Sequence, residues 1–221
     1  MIVGTNALWA YEIASGVHLG SEYIATQDAD LLWEARRKIE LLHTEVRKFG
    51  LLAILQRADR SYSLLGKNPF TAVNRDAYAV DIIRPEDKLF FKATRPKQLS
   101  GKSNDFEPAP IFGMQWMLNA PQFRATVIAE DGLPLELITI DPRFFALHKI
   151  WLSQQPSREP LKKRRDREQA RIVAHLCRKY LGLEFETKLL RALPVKVRSF
   201  LDQLKGPEHY EPLRGSRKSK A

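Results

Sequence analysis

The chain has a single cysteine, Cys177. One thiol cannot form an internal disulfide, and no cysteine cluster is present to build a structural zinc site. No apolar run approaches the ~18 residues that a membrane span needs. The opening residues Met1-Ile2-Val3-Gly4 carry neither a basic leader nor a small-residue cleavage site, so they do not read as a secretory signal. These absences point to a cytoplasmic chain. Acidic residues are in deficit, with 26 Asp and Glu against 36 Lys and Arg, a net charge of +10. That balance favours polyanionic partners such as RNA, DNA or nucleotides. Part of the excess sits in Arg214-Gly215-Ser216-Arg217-Lys218-Ser219-Lys220, which reads as a disordered tail. What is present is 221 residues, 44% of them apolar. That supports a proper core only if most of the chain folds together.

The most informative stretch is Ala25-Thr26-Gln27-Asp28-Ala29-Asp30-Leu31-Leu32-Trp33. In an extended strand, residues i and i+2 share a face, so Asp28 and Asp30 stand roughly 7 Å apart at the backbone. Two carboxylates that close repel unless one is protonated or a cation lies between them. A hard ion such as Mg2+ takes one or two carboxylates together with substrate phosphates. Two readings therefore stand: a metal site at the head of a strand, or a solvated acidic turn before one.

Upstream, Met1-Ile2-Val3 reads as a strand stub and Asn6 to Ser15 as a helix, with Thr5 its N-cap and Gly16 its end. Strand, glycine, hydroxyl and helix together offer backbone N–H groups to an anion. Downstream, Glu34 to Phe49 is helical and highly charged, and Leu51 to Ala58 is a second short helix or the continuation of the first. Ser61 to Leu65 is a strand, and Gly66-Lys67-Asn68-Pro69 a loop. Ala77 to Ile83 is the clearest strand, with apolar residues on both faces and one charge, Asp81. A carboxylate there requires an arginine partner in the core or a metal ion. Lys88 to Asp105 is basic; its Gly101-Lys102-Ser103 lacks the first glycine of a phosphate-binding P-loop.

Ile111 to Leu118, Phe123 to Ala129 and Leu135 to Ile140 read as strands, with Asp131-Gly132 turning between the last two. Asp141-Pro142 starts a helix to about Ser153. In its apolar stripe, His148 reads as a hydrogen-bonded core residue, and Lys149 at the edge either snorkels to solvent or reaches a cleft. Leu161 to Leu181 is a helix whose apolar face includes Asp166, an inward carboxylate that requires a cation; Lys149 is the candidate. Lys162-Lys163-Arg164-Arg165 could pass for a nuclear signal, but its helical setting favours a basic rim or a solvated helix end. A last helix covers about Glu186 to Leu204.

The motifs Gly4-Thr5-Asn6-Ala7-Leu8-Trp9-Ala10-Tyr11-Glu12 and Asp28-Ala29-Asp30 resemble the opening of a bacterial nucleotidyltransferase-like family. Its members look like distant kin of DNA polymerase beta, of the minimal nucleotidyltransferases and of AbiEii-type toxins. That pattern is Gly-Ser or Gly-Thr at a helix start, Asp-x-Asp on the next strand, and a third acid on a later strand, here Asp81. Asp141 to Lys149, then Lys163-Arg164-Arg165-Asp166, is similar to the lysine and Arg-Asp elements of the AbiEii-like branch. The resemblance covers about residues 1 to 200. Threonine stands at position 5 where serine is commoner. Relatives usually carry more sequence before the glycine motif, so an upstream helical segment is expected to be missing.

The resemblance implies an α+β fold: a nucleotidyltransferase-like mixed sheet flanked by helices, followed by a C-terminal helical region. Residues 1–140 form the catalytic core, 141–205 the helical region completing the cleft, and 206–221 the basic tail. It implies transfer of an NMP from an NTP to an acceptor hydroxyl, with pyrophosphate leaving. The resemblance implies two Mg2+ or Mn2+ ions, both held by Asp28 and Asp30, with Asp81 holding the one that activates the acceptor and doubling as base. Gly4, Thr5 and Lys149 hold the nucleotide, and Asp166 orients Lys149. The acceptor is expected to be RNA, a tRNA end foremost, in a toxin or defence role with an antitoxin protein as possible partner. The alternatives are transfer to a protein or small molecule, or an inactive binding module of the same fold.

Overall fold

The computed structural model describes residues 1–33, 40–66, 68–86, 99–100, 102–129 and 131–204. In chain order the elements are β1 (Ile2–Val3), a 3-10 turn (Gly4–Asn6), α1 (Ala7–Ser15), α2 (Ser21–Ile24), β2 (Asp28–Leu32), α3 (Glu40–Phe49) and α4 (Leu51–Ala58). Then come β3 (Ser63–Leu65), β4 (Asn68–Val73), β5 (Ala79–Pro85), β6 (Ala109–Ile111), α5 (Gln115–Leu118), β7 (Gln122–Ile128) and β8 (Pro134–Ile140). Last are α6 (Pro142–Ser153), α7 (Pro160–Lys179), a 3-10 turn (Leu189–Ala192), α8 (Val195–Arg198) and a 3-10 turn (Leu201–Leu204). The fold is α+β with a mixed sheet and helices at the C-terminal end, as the sequence implies. The chain divides into two compact units, residues 1–4 with 26–119 and residues 5–25 with 120–221.

The first unit is built on a sheet of order β1-β2-β5-β4-β3. β5 runs parallel to β2 on one side; on its other side it pairs antiparallel with β4 at Ala79 to Asp81, then parallel with β6 at Ile83 to Pro85. Alternation divides the strands between two faces. Ala72, Val80 and Ile82 with Phe106 form a buried cluster, and Leu31, Leu64, Leu51, Leu52 and Leu55 pack against it. The leucines of α4 thus cover one face. Asp28, Asp30, Thr71 and Asp81 have the opposite parity and stand on the other. Asp105, 3% exposed, accepts from the N–H groups of Leu51 and Leu52 at 3.2 and 3.0 Å, satisfying two orphan donors at the start of α4.

In the second unit β7 and β8 form an antiparallel hairpin from Gln122↔Ile140 to Ile128↔Pro134. Tyr11 of α1, fully buried, sits edge-on to Phe123 and Phe145, and its hydroxyl donates to the Ile140 carbonyl at 2.8 Å. Asp141 caps α6 by accepting from the Arg143 N–H at 2.9 Å, with Pro142 in the first turn. The Arg143 guanidinium grips the same carboxylate with two bonds, at 3.0 and 2.7 Å.

Several local expectations are corrected. The expected strand from Ile111 to Leu118 is β6 followed by the short helix α5, because Gly113, at φ 82°, turns the chain between them. The loop expected at Gly66 to Pro69 already contains the start of β4. The last helix is broken into three short pieces around Pro194, which lacks an N–H and holds Leu193 extended. Thr5 does not cap α1; Asn6 occupies that position without a side-chain cap bond. Residues 34–39 of the charged helix, Lys67, residues 88–98 of the basic stretch, Gly101 and the tail lie outside the described residues. The Lys102 ammonium donates to the Lys48 carbonyl at 2.6 Å, a structural bond within the first unit.

Candidate functional site

The parallel register of β2 and β5 places Asp28 opposite Ala79 and Asp30 opposite Asp81. Adjacent strands lie about 4.8 Å apart, and register partners share a face. The three acids therefore share one face of the sheet. β4 extends the row, with Thr71 opposite Asp81 and its hydroxyl donating to Asp81 Oδ1 at 2.6 Å. Asp81 is half-buried, and among the described residues its partner is this hydroxyl and not an arginine. The Thr26 hydroxyl bonds Asp28 Oδ1.

Gly4 is fixed beside these acids for two independent reasons. Its φ of +65° lies in the left-handed region that side chains disfavour, and a Cβ there would stand 2.2 Å from Asp30 Oδ2. The backbone after β1 thus runs hard against the Asp30 carboxylate, a close approach open to glycine alone. Thr5 follows by one peptide bond.

Among the described residues, no three His, Cys, Asp or Glu side chains form a ready cage for a metal ion. The donor chemistry nonetheless fits a hard divalent ion. Asp30 and Asp81 are carboxylates on adjacent strands, and Mg2+ uses one or two such groups and completes its shell with water and phosphate oxygens. The acids and Gly4 all lie in the first unit.

Thr5, Lys149 and Asp166 lie in the second. The inward position of Asp166 on α7 is met by two cations. Lys149 Nζ donates to Oδ1 at 2.8 Å and Arg158 Nε to Oδ2 at 2.8 Å. The Asp166 side chain is 2% exposed, that of Lys149 8% and that of Arg158 30%. Burial works against the ionised form of Asp166, but Lys149 and Arg158 outweigh it and hold the carboxyl below its usual range. His148 is driven to about 3, first by burial and then by the Lys149 charge, so it is neutral at physiological pH. Cys177, buried at the far end of the same helix face, is pushed up to about 12 by burial.

Sequence reasoning missed four of the side chains that organise these groups. Thr71 lies in a strand read partly as loop, and Thr26 and Arg158 in connecting stretches. Gln169 was legible: it falls one turn after Asp166 on the same buried face, and helical spacing alone places it inward.

The model of a nucleotidyltransferase family matches residues 1–194, which takes in every residue named here. Neither the curated proteins nor the solved structures give a match. With an Asp-x-Asp strand, a third acid in register beside it and a glycine packed on the central carboxylate, the chain belongs to the nucleotidyltransferase family, whose general chemistry is nucleotidyl transfer from an NTP.

Proposed function

We propose that this protein moves an NMP from an NTP to the hydroxyl of an RNA acceptor, a tRNA end foremost, with a divalent ion, Mg2+ or Mn2+, bound through Asp28, Asp30 and Asp81. When bound, the ion supplies charge neutralisation on the phosphates and lowers the cost of an anionic nucleophile. The bond from the acceptor oxygen to the α-phosphorus forms, and the bond to the pyrophosphate oxygen breaks. Asp81 receives the acceptor proton. Its Oδ1 is occupied by Thr71, and its Oδ2 has no hydrogen-bond partner among the described residues. The Thr5 hydroxyl and the Lys149 ammonium, both in the second unit, are the groups proposed for the β- and γ-phosphates. Asp166 and Arg158 fix the position of Lys149.

The observation that carries this reading is the Asp30↔Asp81 register with Gly4 packed on Asp30. The RNA acceptor is supported by charge. On α7, Arg164, Arg167 and Arg171 recur at spacings of three and four and are all exposed, opposite the buried stripe. In a chain of net charge +10 such a row suits a phosphate backbone. Such an activity would fit a growth-inhibiting or defence role in the cytoplasm, with an antitoxin protein as partner.

The test is incubation of the folded protein with each α-labelled NTP, Mg2+ and total RNA. The expected result is label in RNA, lost in Asp30→Asn. Label in protein would move the acceptor to a protein hydroxyl. No label from any NTP would overturn the proposal.

A further inference from the structure

Gln169 is completely buried on α7, one turn beyond Asp166. Its Nε2 donates to the Tyr23 carbonyl at 2.6 Å. A carbonyl oxygen can only accept, so this bond fixes which way the amide faces: with the ends exchanged, two oxygens would confront each other. The same nitrogen also donates to Thr5 Oγ1, at 3.4 Å. The amide oxygen Oε1 is buried without a hydrogen-bond partner among the described residues. A buried orphan acceptor costs stability, and an apolar side chain of the same length would avoid that cost. The fold keeps an amide here although half of it goes unused.

We infer that Gln169 is a positioning residue that sets the direction of the Thr5 hydroxyl proton for donation to a nucleotide phosphate; the inference rests on the nucleotide role proposed for Thr5. A threonine hydroxyl has one proton and rotates freely unless something fixes it. Phosphate oxygens only accept, so Thr5 serves a triphosphate only as a donor. By giving its N–H to Thr5 Oγ1, Gln169 occupies a lone pair of that oxygen and leaves the proton directed elsewhere. The Tyr23 carbonyl anchors the amide and prevents the flipped state, in which Oε1 would claim the Thr5 proton for itself. The device is a relay of three groups: carbonyl, amide, hydroxyl.

The experiment is a double-mutant cycle read by calorimetric titration with each of the four NTPs in the presence of Mg2+. The variants are Thr5→Val, Gln169→Met and the pair, with Thr5→Ser as the conservative replacement. Gln169→Met is expected to weaken NTP binding about tenfold, as loss of a hydrogen bond to a charged group does. Thr5→Val is expected to weaken it as much, Thr5→Ser to restore it, and the double variant to bind no more weakly than Thr5→Val alone. A merely structural glutamine would lower the melting temperature equally in both backgrounds and add its binding loss to that of Thr5→Val. Additive losses, or wild-type binding by Gln169→Met, would overturn the inference while leaving the nucleotide reading in place. Failure of the wild type to bind any NTP would remove both. Should Gln169→Met not fold, Gln169→Asn, which keeps the amide but falls one methylene short, gives the same cycle.

Discussion

Replacing Asp166 by alanine exposes what the second unit invests in holding Lys149. The carboxylate is 2% exposed and joins two cations at 2.8 Å each, one of them almost as buried as itself. Its removal leaves the Lys149 ammonium, 8% exposed, without that counter-ion in a place water barely reaches. Loss of one partner from a buried pair costs about 3–5 kcal/mol, because the remaining charge keeps its desolvation penalty. Arg158 is 30% exposed and can turn to solvent, so Arg158→Ala is expected to cost only about 1 kcal/mol. Removing both buried charges, as Lys149→Met with Asp166→Leu, should recover stability to within about 1–2 kcal/mol of wild type. The pH dependence has a definite sign. The Asp166 carboxyl is held below its unfolded value, so its contribution is complete above about pH 4 and is lost as the pH falls through the folded value. Urea unfolding at pH 7 and at successively lower pH measures both effects. A cost below about 1 kcal/mol for Asp166→Ala, or a double variant no more stable than the single one, would refute the reasoning.

Other consequences follow from the same geometry. Gly4→Ala must put a Cβ where Asp30 Oδ2 stands and hold alanine at φ +65°, so it is expected to lose about 1–3 kcal/mol in urea unfolding together with Mg2+-dependent NTP binding; an unperturbed variant would contradict the close approach. Cys177, fully buried with its thiol pushed up to about 12, should resist a thiol reagent such as DTNB in the native state at pH 8 and react once denaturant is added; fast native labelling would contradict that burial. Arg167→Ala and Arg171→Ala should weaken RNA binding regardless of sequence, and each should reduce the slope of log K against log salt by about 0.7–0.9. An unchanged slope would place the RNA elsewhere.

Much of the candidate site is legible in the sequence because it depends on short-range geometry. Strand alternation alone puts Asp28 and Asp30 on one face, and helical spacing alone turns Asp166 inward toward Lys149. The Asp141-Pro142 helix start is equally local, and α6 begins where it predicts. The partners were harder to read. Thr71 reaches Asp81 through the pairing of β4 with β5, and the turn-forming types of its first residues, Asn68 and Pro69, mask β4 as a strand. Arg158 lies in a turn before α7, where helical periodicity has no purchase. Nor does any local signal tell α1 that its tyrosine will close on the hairpin strand carrying Phe123. The last helix failed for the opposite reason: its leucines keep helical spacing, but Pro194 overrides them through its missing N–H.

The claim on which the account rests is that Asp28, Asp30 and Asp81 bind one divalent centre together with the nucleotide. Titration of Mn2+ followed by electron paramagnetic resonance, with and without NTP, tests it most directly. The wild type is expected to take up Mn2+ with an affinity that rises when NTP is present. Asp30→Asn and Asp81→Asn are each expected to abolish that NTP-dependent uptake while the fold survives. Equal uptake by the wild type and both variants would contradict it.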